Sequence, residues 1–126
     1  MSLVTVIAFT AATALPVLDV PSGQPVELYE VLVDKVGAET WLRFRFLTPE
    51  IARDGGSITF IEAEADLEHL CAEVALPYLA EYDLAPEIVA VTLLDRPVAF
   101  GLTDPEVTQF IDVFRVTSGA CIWEGF

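Results

Sequence analysis

Positive charge is scarce in this chain. Lys35, Arg43, Arg45, Arg53, Arg96 and Arg115 stand against 20 acidic side chains, for a formal net charge of −14. A nucleic-acid binder neutralises phosphates with basic surface, so this balance excludes that class. An anionic membrane surface repels the chain for the same reason. Histidine occurs once, at His69, and cysteine twice, at Cys71 and Cys121. A structural zinc site draws four ligands at recognisable spacing, which so few His and Cys do not supply. Gly-x-Ser-x-Gly, phosphate-binding glycine loops and dinucleotide fingerprints are missing too. No catalytic, cofactor-binding or metal-binding set is therefore assigned. Long apolar runs are also missing. Leu3–Leu15 spans about 13 residues, short of the ~20 that cross a bilayer as a helix.

What is present suits a packed core. The chain has 126 residues, 54% of them apolar, above the ~45–50% usual for soluble domains. Much of the excess lies in SLVTVIAFTAATAL, with no charge before Asp19. That stretch matches the apolar region of a secretory signal, and Ala12-Thr13-Ala14 offers small residues for cleavage after Ala14. The alternative reading is a first core strand or a buried helix. The expected organisation is a signal peptide over 1–14 and a single domain over 15–126. The mature protein is then periplasmic or secreted, and not an integral membrane protein.

Pro16 to Pro25 reads as an extended lead-in. Val26–Val33 alternates as a strand, with Leu28, Glu30 and Leu32 opposite Tyr29, Val31 and Val33. After a turn at Asp34–Gly37, Thr40–Phe46 alternates again. Leu42, Phe44 and Phe46 face one side, and Trp41, Arg43 and Arg45 the other. The two runs predict a hairpin over 26–46. Thr48–Ala52 reads as one helical turn and Ser57–Ile61 as a short strand. Asp66 suits a helix N-cap, followed by Leu67, Leu70, Cys71 and Val74 at helical spacing. Pro77 is expected to end or kink that helix. Glu87–Leu94 is a further strand, with Val98–Gly101 pairing back onto it. Residues 104–114 fit helix or strand; a single helical turn and then a closing hairpin over about 109–124 is the favoured reading. The fold class is α+β, a single antiparallel sheet of about five to seven strands packed on one main helix.

Two cysteines in an exported chain predict one bridge. Cys71 lies on the apolar stripe of the helix, and Cys121 shares a strand face with Trp123. If that face carries the core, the two thiols meet across the helix–sheet layer. Two buried free thiols are the alternative. His69 reads as a surface residue near Glu73. The run Glu62, Glu64, Asp66, Glu68 reads as a solvated edge, since the glycine-centred calcium loop is missing. Trp41, Arg43 and Arg45 are the candidate binding residues, because a guanidinium pair beside an aromatic can hold a carboxylate or phosphate. Internal pairing with the abundant acids is the competing account.

Several stretches carry a resemblance: Val20-Pro21-Ser22-Gly23-Gln24, Arg43-Phe44-Arg45-Phe46, Asp66-Leu67-Glu68-His69-Leu70-Cys71, Asp95-Arg96-Pro97-Val98-Ala99-Phe100-Gly101, Thr108-Gln109-Phe110 and Cys121-Ile122-Trp123-Glu124. Together they resemble a family of small exported bacterial proteins of unknown function. The resemblance implies secretion and a paired-cysteine domain, and no activity. Some members carry an automatic "acetolactate synthase" label. A thiamine-diphosphate enzyme needs a far longer chain and a diphosphate-anchoring motif, so the sequence does not support it. The expected function is a non-enzymatic binding module whose partner is an envelope protein or a small anionic ligand, with no cofactor. The alternative is a small envelope hydrolase or metal-dependent enzyme with a carboxylate site.

Overall fold

The computed structural model describes residues 18–125. The expected signal segment and its cleavage point lie outside them. Strands β1 (Glu27–Val36) and β2 (Glu39–Leu47) form the expected hairpin, closed at Gly37 in a left-handed conformation (φ 61°). The chain then makes a 3-10 turn at Pro49–Ile51 and a long helix. That helix starts as α1 (Phe60–Leu70), passes through a π-helical turn (Cys71–Ala75) and continues as α2 (Leu76–Glu81). β3 (Ile88–Leu94), β4 (Gln109–Thr117) and β5 (Ala120–Trp123) complete one sheet in the order β1-β2-β3-β4-β5.

One expectation about the sheet is corrected. β2 and β3 pair in parallel, Trp41 beside Ile88 through Leu47 beside Leu94, while the other neighbours are antiparallel. The helix lies between these two strands in sequence. It carries the chain back along the sheet, so β3 enters in the same direction as β2. The α+β class holds, with a helical crossover at the centre of an otherwise antiparallel sheet.

The described residues contain five strands, and two expected ones are absent from them. Ser57–Ile61 does not pair, because Thr59 caps α1. Its hydroxyl accepts from the Glu62 N–H, and the Glu62 carboxylate accepts from the Thr59 N–H, a reciprocal capping box. Val98–Gly101 does not pair either. Asp95 and Thr108 close the base of a loop, with Asp95 N–H donating to Thr108 O at 3.1 Å and Thr108 N–H to Asp95 Oδ1 at 2.6 Å. β3 therefore pairs with Gln109 onward, and residues 96–107 are looped out. Within that loop Asp104 makes one turn, after which the β-rich run from Gln109 is strand.

Asp66 is not the N-cap. It lies in the middle of α1, fully buried. Its carboxylate accepts from Ser22 N–H at 2.9 Å, from the Ser22 hydroxyl, and from Gln24 Nε2 at 2.7 Å. The proline-rich lead-in is thus tied to the helix. Pro77 does not end the helix either. The π turn just before it shifts the hydrogen-bond ladder by one residue, which accommodates a residue without an N–H.

The core lies between the helix and one sheet face. Leu42, Phe44 and Phe46 of β2, Val89, Val91 and Leu93 of β3, and Phe114 of β4 pack against Leu67, Leu70, Cys71 and Ala75. All seven residues of β3 are buried. Since side chains alternate between faces, the face away from the helix is covered as well.

Candidate functional site

The cover on that second face is the loop after β3. Register places Trp41, Arg43 and Arg45 there, beside Ile88, Ala90 and Thr92 of β3, with Asp34, Leu32 and Glu30 on the other flank. Phe100 of the loop stands between the two arginines. The Arg43 guanidinium carbon lies 5.0 Å from the centroids of both Trp41 and Phe100. That of Arg45 lies 5.6 Å from Tyr29 and 5.7 Å from Phe100. All four contacts fall within the range of cation–π attraction.

A bulge in β1 aims two groups at Arg45. The register slips between Leu28 and Glu30, so Tyr29 is the extra residue. This corrects the simple alternation: Leu28 and Val31 both lie against the core. Tyr29 and Glu30 together oppose Arg45, as a bulge allows. Arg45 donates through Nη1 to Glu30 Oε2 and through Nη2 to Val98 O at 2.9 Å. Arg43 donates to Asp34 Oδ2 through Nε at 3.0 Å and Nη2 at 2.9 Å.

The alternation of β2 is as the sequence implies, but the arginines are not bare. Arg45 is only 3% exposed and Arg43 18%. A non-local loop covers them, and carboxylates across the hairpin neutralise them. Sequence reasoning missed Glu30, Asp34 and Phe100 as their partners. The hairpin register carried a signal for the first two, since acids on β1 fall opposite or diagonal to bases on β2. Phe100 had no such signal, being more than fifty positions away on an aperiodic stretch.

Beside the arginines is a cleft of about 230 Å³. Arg43, Arg45 and Thr92 form its floor, Gln109 and Ile111 one wall, and residues 100–103 the other. Among the described residues, Arg43 Nη1 and Arg45 Nε have no hydrogen-bond partner. Two residues of the cleft lining thus carry N–H groups that their carboxylate partners do not use.

The other charged groups serve the frame. Arg115 bridges Glu39 at 2.7 Å and Glu124 at 2.6 Å. Those two carboxylates, Glu124 first, raise its pKa and keep it charged. Arg96 is likewise raised by its bond to Asp95. Glu87 accepts the Thr40 N–H at 2.6 Å, which holds its carboxyl below the ordinary value. No cluster of three or more His, Cys, Asp or Glu side chains among the described residues could hold a metal.

Cys71 and Cys121 are joined in a disulfide, with their Cα atoms 6.3 Å apart. It links the π turn of the helix to β5. Trp123 shares the face of Cys121 and donates from Nε1 to Asp112 at 3.2 Å. His69 lies beside a second, open hollow of about 560 Å³, with Pro21, Ala65 and Ala120.

Fold and site together define a small α+β domain, one helix crossing between parallel central strands and one disulfide holding helix to sheet. The chain belongs to a family of unknown function, DUF6497, whose family model matches residues 4–126. No curated protein and no solved structure matches it. No helix among the described residues is long and apolar enough to cross a membrane.

Proposed function

We propose that the chain is an exported, non-enzymatic binding domain whose ligand occupies the cleft beside Arg43 and Arg45. One observation carries this reading. Two guanidinium groups are locked among aromatic rings and carboxylates, their carboxylate partners do not take up every N–H, and both residues line one cleft. Rigid donors on sheet strands beneath a loop are the usual furniture of a small-ligand site. Export is supported by the disulfide, since such bonds persist in oxidising compartments, and by the short apolar run Leu3–Leu15.

Native mass spectrometry of protein purified from its own cells tests both halves. The expected species begins at Leu15, is two hydrogens lighter than the reduced chain, and carries a small non-covalent adduct. Phe100→Ala, at an exposed loop position, should lose the adduct and keep the fold. A reduced chain retaining Met1 would remove the export reading. An adduct-free native protein would remove the binding reading.

A further inference from the structure

The charge balance of the cleft narrows the class of ligand. We propose, building on the binding role above, that the cleft between Arg43, Arg45 and the Phe100 loop takes a neutral, hydroxyl-rich ligand of about one sugar ring. The expectation of an anion rested on two unpaired arginines. Each arginine has a carboxylate of its own, Asp34 for Arg43 and Glu30 for Arg45. Thr92, Thr103 and Gln109, which complete the polar lining, carry no charge. An anion entering here meets no net positive charge, and it approaches a chain of formal charge −14. A cation would face the two guanidinium groups.

The hydrogen-bonding inventory points the same way. Guanidinium N–H groups only donate, whereas threonine hydroxyls and the glutamine amide both donate and accept. A ligand that satisfies both kinds of neighbour must itself donate and accept from adjacent positions. Hydroxyl groups do this. The apolar part of the lining fits as well. Phe100, Leu102 and Ile111 are exposed large apolar side chains at the cleft. They offer contact to the C–H faces between hydroxyls. The volume, about 230 Å³, lies below the ~300–1,000 Å³ of sites for drug-sized ligands, which limits the occupant to about one ring.

The test is a ¹⁵N-NMR titration of the oxidised, folded chain. Four neutral probes are used, D-glucose, D-galactose, D-mannose and N-acetyl-D-glucosamine, with sodium acetate and sodium phosphate as the anionic arms. The expected result is saturable shifts at the Gln109 side-chain amide and the Gly101–Thr103 backbone amides with at least one sugar. Those shifts should be unaffected by added sodium chloride. Gln109→Ala, at an exposed position, should weaken that sugar about three- to tenfold, the loss expected from one or two hydrogen bonds, with the melting temperature unchanged. No response to any of the four sugars overturns the proposal, as does a sugar response that Gln109→Ala leaves at full strength. Acetate or phosphate shifting the same amides, with affinity falling as salt rises, overturns the neutral class and leaves the binding role standing. A native adduct that proves to be an organic acid separates the two readings in the same way.

Discussion

Arg43 and Arg45 are two positions apart on one strand face, yet their energetics differ. Arg45 is buried and bonded to Glu30 and to the Val98 carbonyl. Arg45→Gln removes charge-assisted hydrogen bonds worth ~1.5–3 kcal/mol and the stacking on Tyr29 and Phe100. Arg43 also stacks, on Trp41 and Phe100, and its partner Asp34 is about as exposed as Glu30. Arg43 is itself 18% exposed, however, and among the described residues it lacks a bond to a backbone carbonyl. Pairs open to solvent contribute only ~0–1 kcal/mol. Thermal melts should therefore show a drop of several degrees more for Arg45→Gln than for Arg43→Gln. Equal melting temperatures would mean that burial of Arg45 contributes nothing. Glu87 gives a pH signature at the same scale. Its carboxyl is held below the ordinary 4.5 by the Thr40 N–H. A depressed carboxylate adds stability above its unfolded pKa and loses it as pH falls through the folded value. Denaturant midpoints of the native chain and Glu87→Gln should thus differ at neutral pH and converge on acidification. A difference that persists in acid would assign the effect to something other than this bond.

Among the elements, what the sequence pattern revealed and what it hid divide along physical lines. The strands at 27–36, 39–47 and 88–94 were legible because their period-two or continuous apolar patterns have few other solutions. The Leu67, Leu70, Cys71 stripe and the Cys121, Trp123 face were legible for the same reason, and with them the bridge. The start of the helix was not. Ile58 and Thr59 have β-branched side chains that suit a strand, while the Thr59–Glu62 capping box is equally a helix start. Local pattern also says nothing about strand direction, so the parallel seam between β2 and β3 stayed hidden. The cover over the arginines was hidden because loop 96–107 has no periodicity to place it. Asp66 was misread because an N-cap residue and a buried carboxylate with three donors are the same letter in sequence. Its role predicts a specific failure. Asp66→Ala strands the Ser22 and Gln24 donors at ~1–3 kcal/mol per unsatisfied group. Hydrogen exchange should speed up at Ser22 and Gly23 before it does in β3, and uniform acceleration across both would contradict a local tie.

For the molecule as a whole, the disulfide and the charge dominate. The bridge closes a span of 50 residues, worth roughly 4 kcal/mol in the chain-entropy model. That is a large part of the ~5–15 kcal/mol total of a typical domain. Reduction, or Cys71→Ser with Cys121→Ser, should lower the melting temperature by on the order of 15 °C. A loss of only a degree or two would show that the reduced ensemble is already compact. Family membership is settled at this scale too, since the match runs over residues 4–126 and is not confined to one element.

The parallel seam has a consequence for how fast this protein reaches its fold. β1 and β2 meet through a short turn, and β4 and β5 do the same, so each hairpin closes locally. β2 and β3 pair residues such as Trp41 and Ile88, with the whole helical crossover between them. Contacts this distant in sequence demand loop closure before they return any energy, which slows folding. Two quick halves then wait on one slow join. Val91→Ala, buried at the seam, should slow refolding in stopped-flow traces, and an effect confined to the unfolding limb would show that the seam forms after the rate-limiting step.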